Sequence, residues 1–250
     1  MRYVDSKKRE DDILDLLVTS YIKESHPISS SYLCDNYHLP YSSATIRNVM
    51  ESLEKKGFLS HIHTSSGRIP TKLGFKYYVE HLIEKGEFLK EDEETVEELV
   101  EFDTYNTTIE DVFNKALDIL SNISGYISLM GMWGFKEGFF FKGTRFILNQ
   151  PEFEDINKLK NLFYALEVKI EEIQDLLFKY VDEELGILIG DESGFEEISE
   201  CSLLVSGFKK ERLALALGLL GPMRMDYIRS IHSLYFIRHS LENIIEKLIL

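Results

Sequence analysis

Apolar residues at the start of the chain recur at helical spacing. Between residues 7 and 24 they fall on one face and predict a first helix, which ends before Pro27 because proline lacks the amide hydrogen a helix needs. A second helical segment starts near Ser29 and stops before Leu39, since the residue before a proline disfavours the helical region. The apolar face of the first helix comprises Ile13, Leu14, Leu17, Val18 and Tyr21.

A third segment has the clearest helical pattern. Ser42 and Ser43 can cap its start, apolar residues follow at positions 46, 49, 50 and 53, and Gly57 stands where a left-handed C-terminal residue belongs. Residues 58–69 then have β-type residues at both ends with turn residues between them, which predicts a short hairpin closed by Pro70. Three short helices and a hairpin are typical of a winged helix-turn-helix, whose third helix enters the DNA major groove.

The second half of the chain mixes helical and strand periodicity. Strand-like runs occupy residues 126–135, 139–148, 185–189, 202–208 and 213–220. Helices are predicted from a cap at Thr107, from Pro151 to about Tyr180, and from near Asp226 onward. This mixture predicts an α+β domain with an antiparallel sheet.

Charge divides the chain in the same way. Its formal net charge is −15, yet residues 1–85 contain 12 basic and 11 acidic side chains, whereas residues 86–250 contain 16 and 32. Residues 41–78 form a basic island of net +4. Such an island in an acidic chain suits a protein that binds a polyanion with one end. We therefore predict a DNA-binding domain at 1–85, an acidic linker at 86–106 and a second domain at 107–250.

Other classes of protein are disfavoured. Cys34 and Cys201 lie far apart with no CxxC pair, which argues against a disulfide scaffold and a structural zinc site. No apolar run approaches the ~20 residues of a membrane-spanning helix, so we expect a cytoplasmic protein with no membrane partner. The carboxylate pairs at 191–192 and 196–197 do not converge and lack His or Arg neighbours, so we expect no enzymatic activity and no cofactor.

Two histidines on the predicted hairpin have two interpretations. His61 and His63 could be metal ligands on one strand face, but no third ligand lies near them in sequence, which favours hydrogen-bonded histidines and no metal. The pattern alone also leaves two interpretations of the polar face of the third helix. Arg47 and Asn48 have the side chains that read guanine and adenine, but a solvated helix face has the same pattern.

Several strings in the chain resemble one known family, the heat-inducible transcription repressor HrcA. They are SSATIRN at 42–48, HTSSGRIPT at 63–71 with Gly74, Tyr77 and Tyr78 after it, NQPEF at 149–153, ECSL at 200–203 and GLLGPMRMDY at 218–227. The chain departs from the family pattern at Ser29, Ser31, Met223 and Phe75-Lys76, and it is shorter in the middle. The resemblance implies a winged helix-turn-helix followed by a reduced GAF-like domain.

The resemblance also implies a function and a set of DNA-binding residues. It implies a dimeric repressor of chaperone genes that binds an inverted repeat, the CIRCE element, and is kept competent by the GroEL chaperonin. Base contacts are expected from Arg47 and Asn48. Contacts to phosphate or the minor groove are expected from the helix start and the wing: Ser42, Ser43, Thr45, His63, Thr64, Ser65, Arg68, Lys72 and Lys76.

Two alternatives remain at this stage. The acidic domain could instead sense a small molecule, or the chain could be a chaperone-interaction module that has lost dimerisation and DNA binding. The glycine-rich aromatic segment at 133–141 and the apolar face of the final helix are both candidate surfaces for a second subunit or a chaperone.

Overall fold

The computed structural model describes residues 2–62, 67–86, 108–134 and 137–249, in two units, Met1–Gly86 and Glu87–Leu250. The first unit contains four helices and one antiparallel pair of two-residue strands among its described residues. Its elements are α1 (Arg2–Glu24), α2 (Ser30–Asn36), α3 (Ser43–Lys55), β1 (Leu59–Ser60), β2 (Ile69–Pro70) and α4 (Lys72–Lys85). The order from α1 to β2 is the predicted one, although α1 begins five residues before the predicted start; the helix α4 was not predicted.

Side-chain caps define where these helices begin. The hydroxyl oxygens of Ser29, Ser42 and Thr71 accept hydrogen bonds from the backbone amides three residues later, at 3.0, 3.2 and 3.1 Å. Each cap satisfies an amide that has no partner within its own helix. Most of the predicted apolar positions lie in the core between the helices, whereas Tyr21 and Val49 are half-buried. The predicted positions that are buried are Ile13, Leu14, Leu17, Val18, Ile46, Met50 and Leu53.

The second unit is an α+β domain, as predicted. Its helices are α5 (Ile109–Ser124), α6 (Thr144–Ile147), α7 (Ile156–Val168), α8 (Ile170–Phe178) and α9 (Tyr227–Ile249). Its strands are β3 (Ile127–Trp133), β4 (Gly138–Lys142), β5 (Gly186–Ile189), β6 (Cys201–Lys210) and β7 (Leu213–Pro222). The strands form one antiparallel sheet in the order β4-β3-β7-β6-β5, an arrangement consistent with a GAF-like domain.

Helices cover both faces of this sheet. On one face, Ser128 of β3 donates to the carbonyl oxygen of Leu117 in α5, and Ser202 of β6 shares a hydrogen bond with the hydroxyl of Tyr227 in α9. On the other face, the Leu177 side chain of α8 lies against Gly218 of β7. Residues on both sides of β6 and β7 are therefore buried, which explains why these strands read as nearly continuous apolar runs.

Three predicted boundaries in the second unit were wrong. The strand predicted at 139–148 ends at Lys142, because Gly143 adopts a left-handed φ of 85° and starts the short helix α6. The single helix predicted from Pro151 to Tyr180 is a 3-10 turn (Pro151–Glu154) followed by α7 and α8. It breaks at Lys169, which leaves the helical region of backbone space while its ammonium group pairs with Glu197 at 2.7 Å.

The third wrong boundary is the start of α5. The cap is Thr108, whose hydroxyl accepts from the Asp111 amide at 3.2 Å, whereas Thr107 lies outside the described residues. Among the described helices, none combines the length and the apolar character needed to cross a lipid bilayer.

Candidate nucleic-acid interface

The polar face of α3 points away from the core of its unit. Ile46, Met50 and Leu53 are at most 4% exposed and anchor the opposite face. Arg47 and Asn48 are exposed, and the Arg47 side chain retains 72% of its free surface beside Glu51 at 3.5 Å. An exposed ion pair with this long N···O distance is weak, so the Arg47 guanidinium can exchange Glu51 for another hydrogen-bond acceptor.

The predicted phosphate-contacting hydroxyls lie together at the start of α3. Ser42 is exposed, and its hydroxyl lies 3.0 Å from that of Thr45 as well as capping the helix. Ser43 is half-buried and lies 3.1 Å from the hydroxyl of Ser30 in α2. A helix start with exposed hydroxyls and the positive end of the helix dipole is a favourable place for a phosphate.

Arg68 is in a different environment from the one the sequence suggested. Its guanidinium Nε donates to Glu54 Oε2 in α3 at 2.7 Å, and the Arg68 side chain is only 17% exposed. The second carboxylate oxygen of Glu54 bonds Nδ1 of His61. Burial works to raise the pKa of Glu54, but the hydrogen bonds and charges of His61 and Arg68 outweigh it and hold the pKa below its usual value.

The backbone of Arg68 joins the hairpin to the segment before α2. Ile28 N donates to Arg68 O at 2.9 Å, and Arg68 N donates to Ile28 O at 2.7 Å. Gly67 must approach closely for this bridge, since a Cβ atom there would lie 2.5 Å from the Ile28 carbonyl. Arg68 therefore links α3, the hairpin strands and the entry to α2. We call the Glu54, His61 and Arg68 side chains the Glu54 clamp.

Sequence reasoning missed the Glu54 clamp and the role of Ile28. The sequence held only one hint, the glycine before Arg68. Among the other predicted DNA-binding residues, Lys72 is half-buried at the first turn of α4 and Lys76 is exposed one turn later. His63, Thr64 and Ser65 lie outside the described residues.

Metal binding and the two carboxylate pairs were the other chemistries considered from the sequence, and the described part of the chain contains residues relevant to both. There, no group of three or more His, Cys, Asp or Glu side chains could hold a metal ion. In the carboxylate pairs at 191–192 and 196–197, Glu192 and Glu197 make structural contacts. Glu192 accepts from the amide of Ile189 at 3.0 Å, and Glu197 pairs with Lys169.

In the second unit, three of the strings that carry the resemblance meet. Arg224 is buried, and it donates from Nε to Glu152 at 2.5 Å and from a terminal nitrogen to Gln150 at 2.9 Å. The Tyr227 hydroxyl bonds Ser202 and the carbonyl oxygen of Met223, each at 2.7 Å. Residues 149–153, 200–203 and 218–227 thus form one polar junction at the end of the sheet.

Comparison with known proteins agrees with these observations. The model of the HrcA protein C terminal domain matches residues 130–231. The heat-inducible transcription repressor HrcA of Oceanobacillus iheyensis is 28% identical over 335 aligned residues, covering 96% of this chain and 97% of that protein. The repressor of the same name from Chlorobium chlorochromatii is 30% identical, covering 73% of this chain and 53% of its own length.

One solved structure shares the fold. A crystal structure of a hypothetical protein at 2.2 Å resolution has a TM-score of 0.80 and 18% identity, covering 94% of this chain and 97% of the other. The named relatives identify the class of this chain as a transcription repressor. The chain belongs to the HrcA family of heat-inducible transcription repressors.

This chain is a short member of that family. The alignment with the Oceanobacillus iheyensis repressor has 335 positions, whereas 96% of this 250-residue chain is 240 residues. About 95 aligned positions (335 − 240) therefore have no counterpart here. Any surface that those positions provide in the relative must be replaced by another in this chain or be dispensable.

Proposed function

We propose that this heat-inducible repressor binds an inverted-repeat CIRCE operator of chaperone genes as a dimer. In this proposal residues 1–85 are a winged helix-turn-helix DNA-binding domain, residues 86–106 an acidic linker and residues 107–250 a GAF-like regulatory and dimerisation domain. A GroEL-type chaperonin modulates the activity of the repressor, and this part rests on the family resemblance alone.

One observation supports the DNA-binding proposal above all others. The capped helix α3 buries its apolar face and presents Arg47 and Asn48 outward, within the basic island of an otherwise acidic chain. Arginine and asparagine make the bidentate contacts that identify guanine and adenine in the major groove. A single such helix makes few base contacts, so useful specificity requires two half-sites and hence a dimer.

The rival interpretation of the acidic domain as a small-molecule sensor gains no support from the cavity described in this unit. A cavity in the second unit, lined by residues that include Glu152, Phe153 and Cys201, has a volume of about 90 Å³. Pockets for small-molecule ligands are typically ~300–1,000 Å³. We therefore retain DNA binding and a protein partner as the proposed functions of this chain.

The proposal is tested by fluorescence anisotropy with an operator duplex and a scrambled duplex at fixed salt. A preference of ~10³-fold or more for the operator is expected of specific recognition. Arg47→Ala should reduce this preference, whereas Lys72→Ala should weaken binding to both duplexes equally. Arg229→Ala, which removes an exposed arginine of the second unit, is the matched control.

The outcomes separate the alternatives. Equal loss on both duplexes for Arg47→Ala contradicts its base-reading role. Equal and weak binding of the unmodified chain to both duplexes favours the chaperone-interaction module, unless added chaperonin restores the preference. Restoration by chaperonin would instead support the GroEL part of the proposal.

A further inference from the structure

The sequence offered two candidate contact surfaces in the second unit, the apolar face of the final helix and the aromatic segment at 133–141. The structure buries the first of them within the unit. Ile231, Leu234, Ile237, Leu241 and Ile245 of α9 are 0% exposed. They lie among α5, β6 and β7 of the same unit, so the apolar face of the final helix is already covered. The aromatic segment that includes β4 is the remaining surface.

The strand β4 lies at an edge of the sheet. It pairs with β3 along one side, and among the described residues no strand pairs with its other side. All five of its residues are half-exposed, whereas three of the four residues in β5, the opposite edge, are buried. The sequence Gly-Phe-Phe-Phe-Lys has a single charge and no proline, so it lacks most of the features that keep an edge strand from pairing.

We propose that the free edge of β4 pairs with β4 of a second copy of this chain, antiparallel and around a two-fold axis at Phe140. This inference rests on the proposed dimeric repressor and identifies its interface. In this register Phe140 faces the partner's Phe140, and Phe139 faces the partner's Phe141. The two sheets become one continuous antiparallel sheet of ten strands.

The residue pattern suits this self-pairing. Because a two-fold axis perpendicular to the sheet leaves each face on its own side, Phe139 and Phe141 of both copies meet on one face. Within one strand their ring centroids are already 6.2 Å apart, and both rings pack against the core between the sheet and α8. Aromatic residues opposite one another across an antiparallel pair stabilise the pairing.

The ends of the strand limit the interface to its centre. The Gln174 side chain donates to the carbonyl oxygen of Gly138 at 3.3 Å, which holds the start of β4 against its own unit. Gly143 then turns the chain away into α6. Because an edge of this length is small beside the ~1,600 Å² of a standard interface, we expect a weak dimer with a Kd on the order of 1 µM.

The absent family positions make such a surface necessary. About 95 positions of the aligned relative have no counterpart here, so the dimer proposed for this chain must form through residues it retains. The β4 edge provides a backbone ladder and three aromatic side chains without any additional segment. A second copy is the occupant whose strand matches this edge by symmetry.

The test is sedimentation velocity on the full chain at concentrations up to ~100 µM, well above the expected Kd. Phe140→Lys and Phe140→Glu each place like charges opposite one another and should weaken dimerisation at least tenfold. An equal mixture of the two variants should restore the dimer, because opposite charges then meet. Leu148→Lys, a lysine at an exposed apolar position of the same unit, is the control and should leave the dimer intact.

The result that overturns the proposal is a dimer unaffected by either Phe140 variant, a mixture that stays monomeric, or a monomeric unmodified chain. If the charged variants have a lowered melting temperature, the variant Phe140→Cys provides the test instead. Cα atoms opposite each other in an antiparallel pair are ~4.5–5.5 Å apart, within disulfide range, so oxidation should cross-link the dimer and should not cross-link Leu148→Cys. Absence of the cross-link overturns the proposal.

Failure of this interface is distinguishable from failure of the proposed function. If the unmodified chain shows no operator preference in the anisotropy assay, either with or without chaperonin, the proposed function fails whatever the oligomeric state. If operator preference stands while the dimer ignores Phe140, only the β4 interface fails.

Discussion

Replacing Arg68 by methionine should destabilise the first unit and not merely remove a DNA contact. The substitution keeps most of the side-chain volume but removes the donor that bonds Glu54 at 2.7 Å. Glu54 then keeps His61 as a partner. Hydrogen bonds to charged groups contribute roughly 1.5–3 kcal/mol when buried. Since the two side chains retain 17% and 24% of their exposure, we expect a loss of about 1–2 kcal/mol.

A double-mutant cycle isolates the contribution of the pair. Arg68→Met, Glu54→Gln and the double variant should give a coupling energy of about 1 kcal/mol. The matched control is Arg47→Met with Glu51→Gln, since that pair lies on the same helix at 3.5 Å with side chains 72% and 45% exposed. Its coupling should be below about 0.5 kcal/mol.

The assay must resolve the first unit from the second. The one tryptophan, Trp133, lies in the second unit, so tryptophan fluorescence reports that unit while far-ultraviolet circular dichroism reports both. In urea denaturation the affected transition should therefore appear in circular dichroism and leave the fluorescence transition unchanged. A coupling within about 0.3 kcal/mol of zero would refute the Glu54 clamp, because it is below the usual non-additivity of contacting residues.

DNA binding by the Glu54→Gln variant distinguishes an electrostatic role of Glu54 from a structural one, because the two roles predict opposite changes in affinity. If Glu54 only repels phosphate, Glu54→Gln should tighten binding to every duplex. If Glu54 holds the hairpin against α3, Glu54→Gln should reduce operator preference instead.

Acid should weaken the same clamp. Because the folded-state pKa of Glu54 is below its usual value of 4.5, its stabilising contribution is fully present above that value and is lost as the pH falls through the folded pKa. Stability of the first unit measured against pH should show a flatter acid limb in Glu54→Gln than in the unmodified chain. Parallel acid limbs would contradict this linkage.

Three further predictions follow from single contacts. Ser42→Ala removes the α3 cap and should cost about 1 kcal/mol in the circular dichroism transition, with no fluorescence change. Arg224→Met leaves Glu152 without its buried partner and should cost about 3 kcal/mol of unfolding free energy in the fluorescence transition. Adding Glu152→Gln to this variant should cause little further loss, and fully additive losses would contradict coupling of the pair. Burial, with help from Glu200, raises the pKa of the Cys201 thiol to about 12, so at pH 8 a thiol reagent should modify half-buried Cys34 in the native protein and reach Cys201 only on unfolding.

The sequence alone determined most of the elements and the outward face of α3. Apolar spacing predicted α3 and its cap, and apolar runs predicted β5, β6 and β7, because these features depend on which residues must be buried locally. The same periodicity placed Arg47 and Asn48 on the solvent side. Their role in reading DNA came from family resemblance, and it remains a prediction for binding measurements.

Only the tertiary structure decided which distant residues meet. Glu54 and Arg68 are 14 positions apart, and Arg224 and Glu152 are 72 apart, so no periodic pattern connects them. The break at Lys169 likewise coincides with its ion pair to Glu197 on another element. At Gly143 a Cβ atom would lie 2.5 Å from the Ser121 side chain of α5, so only glycine fits there. Strand order, which leaves β4 at an edge, is also set by long-range pairing, since periodicity specifies which face of a strand is buried but not which strand lies beside it.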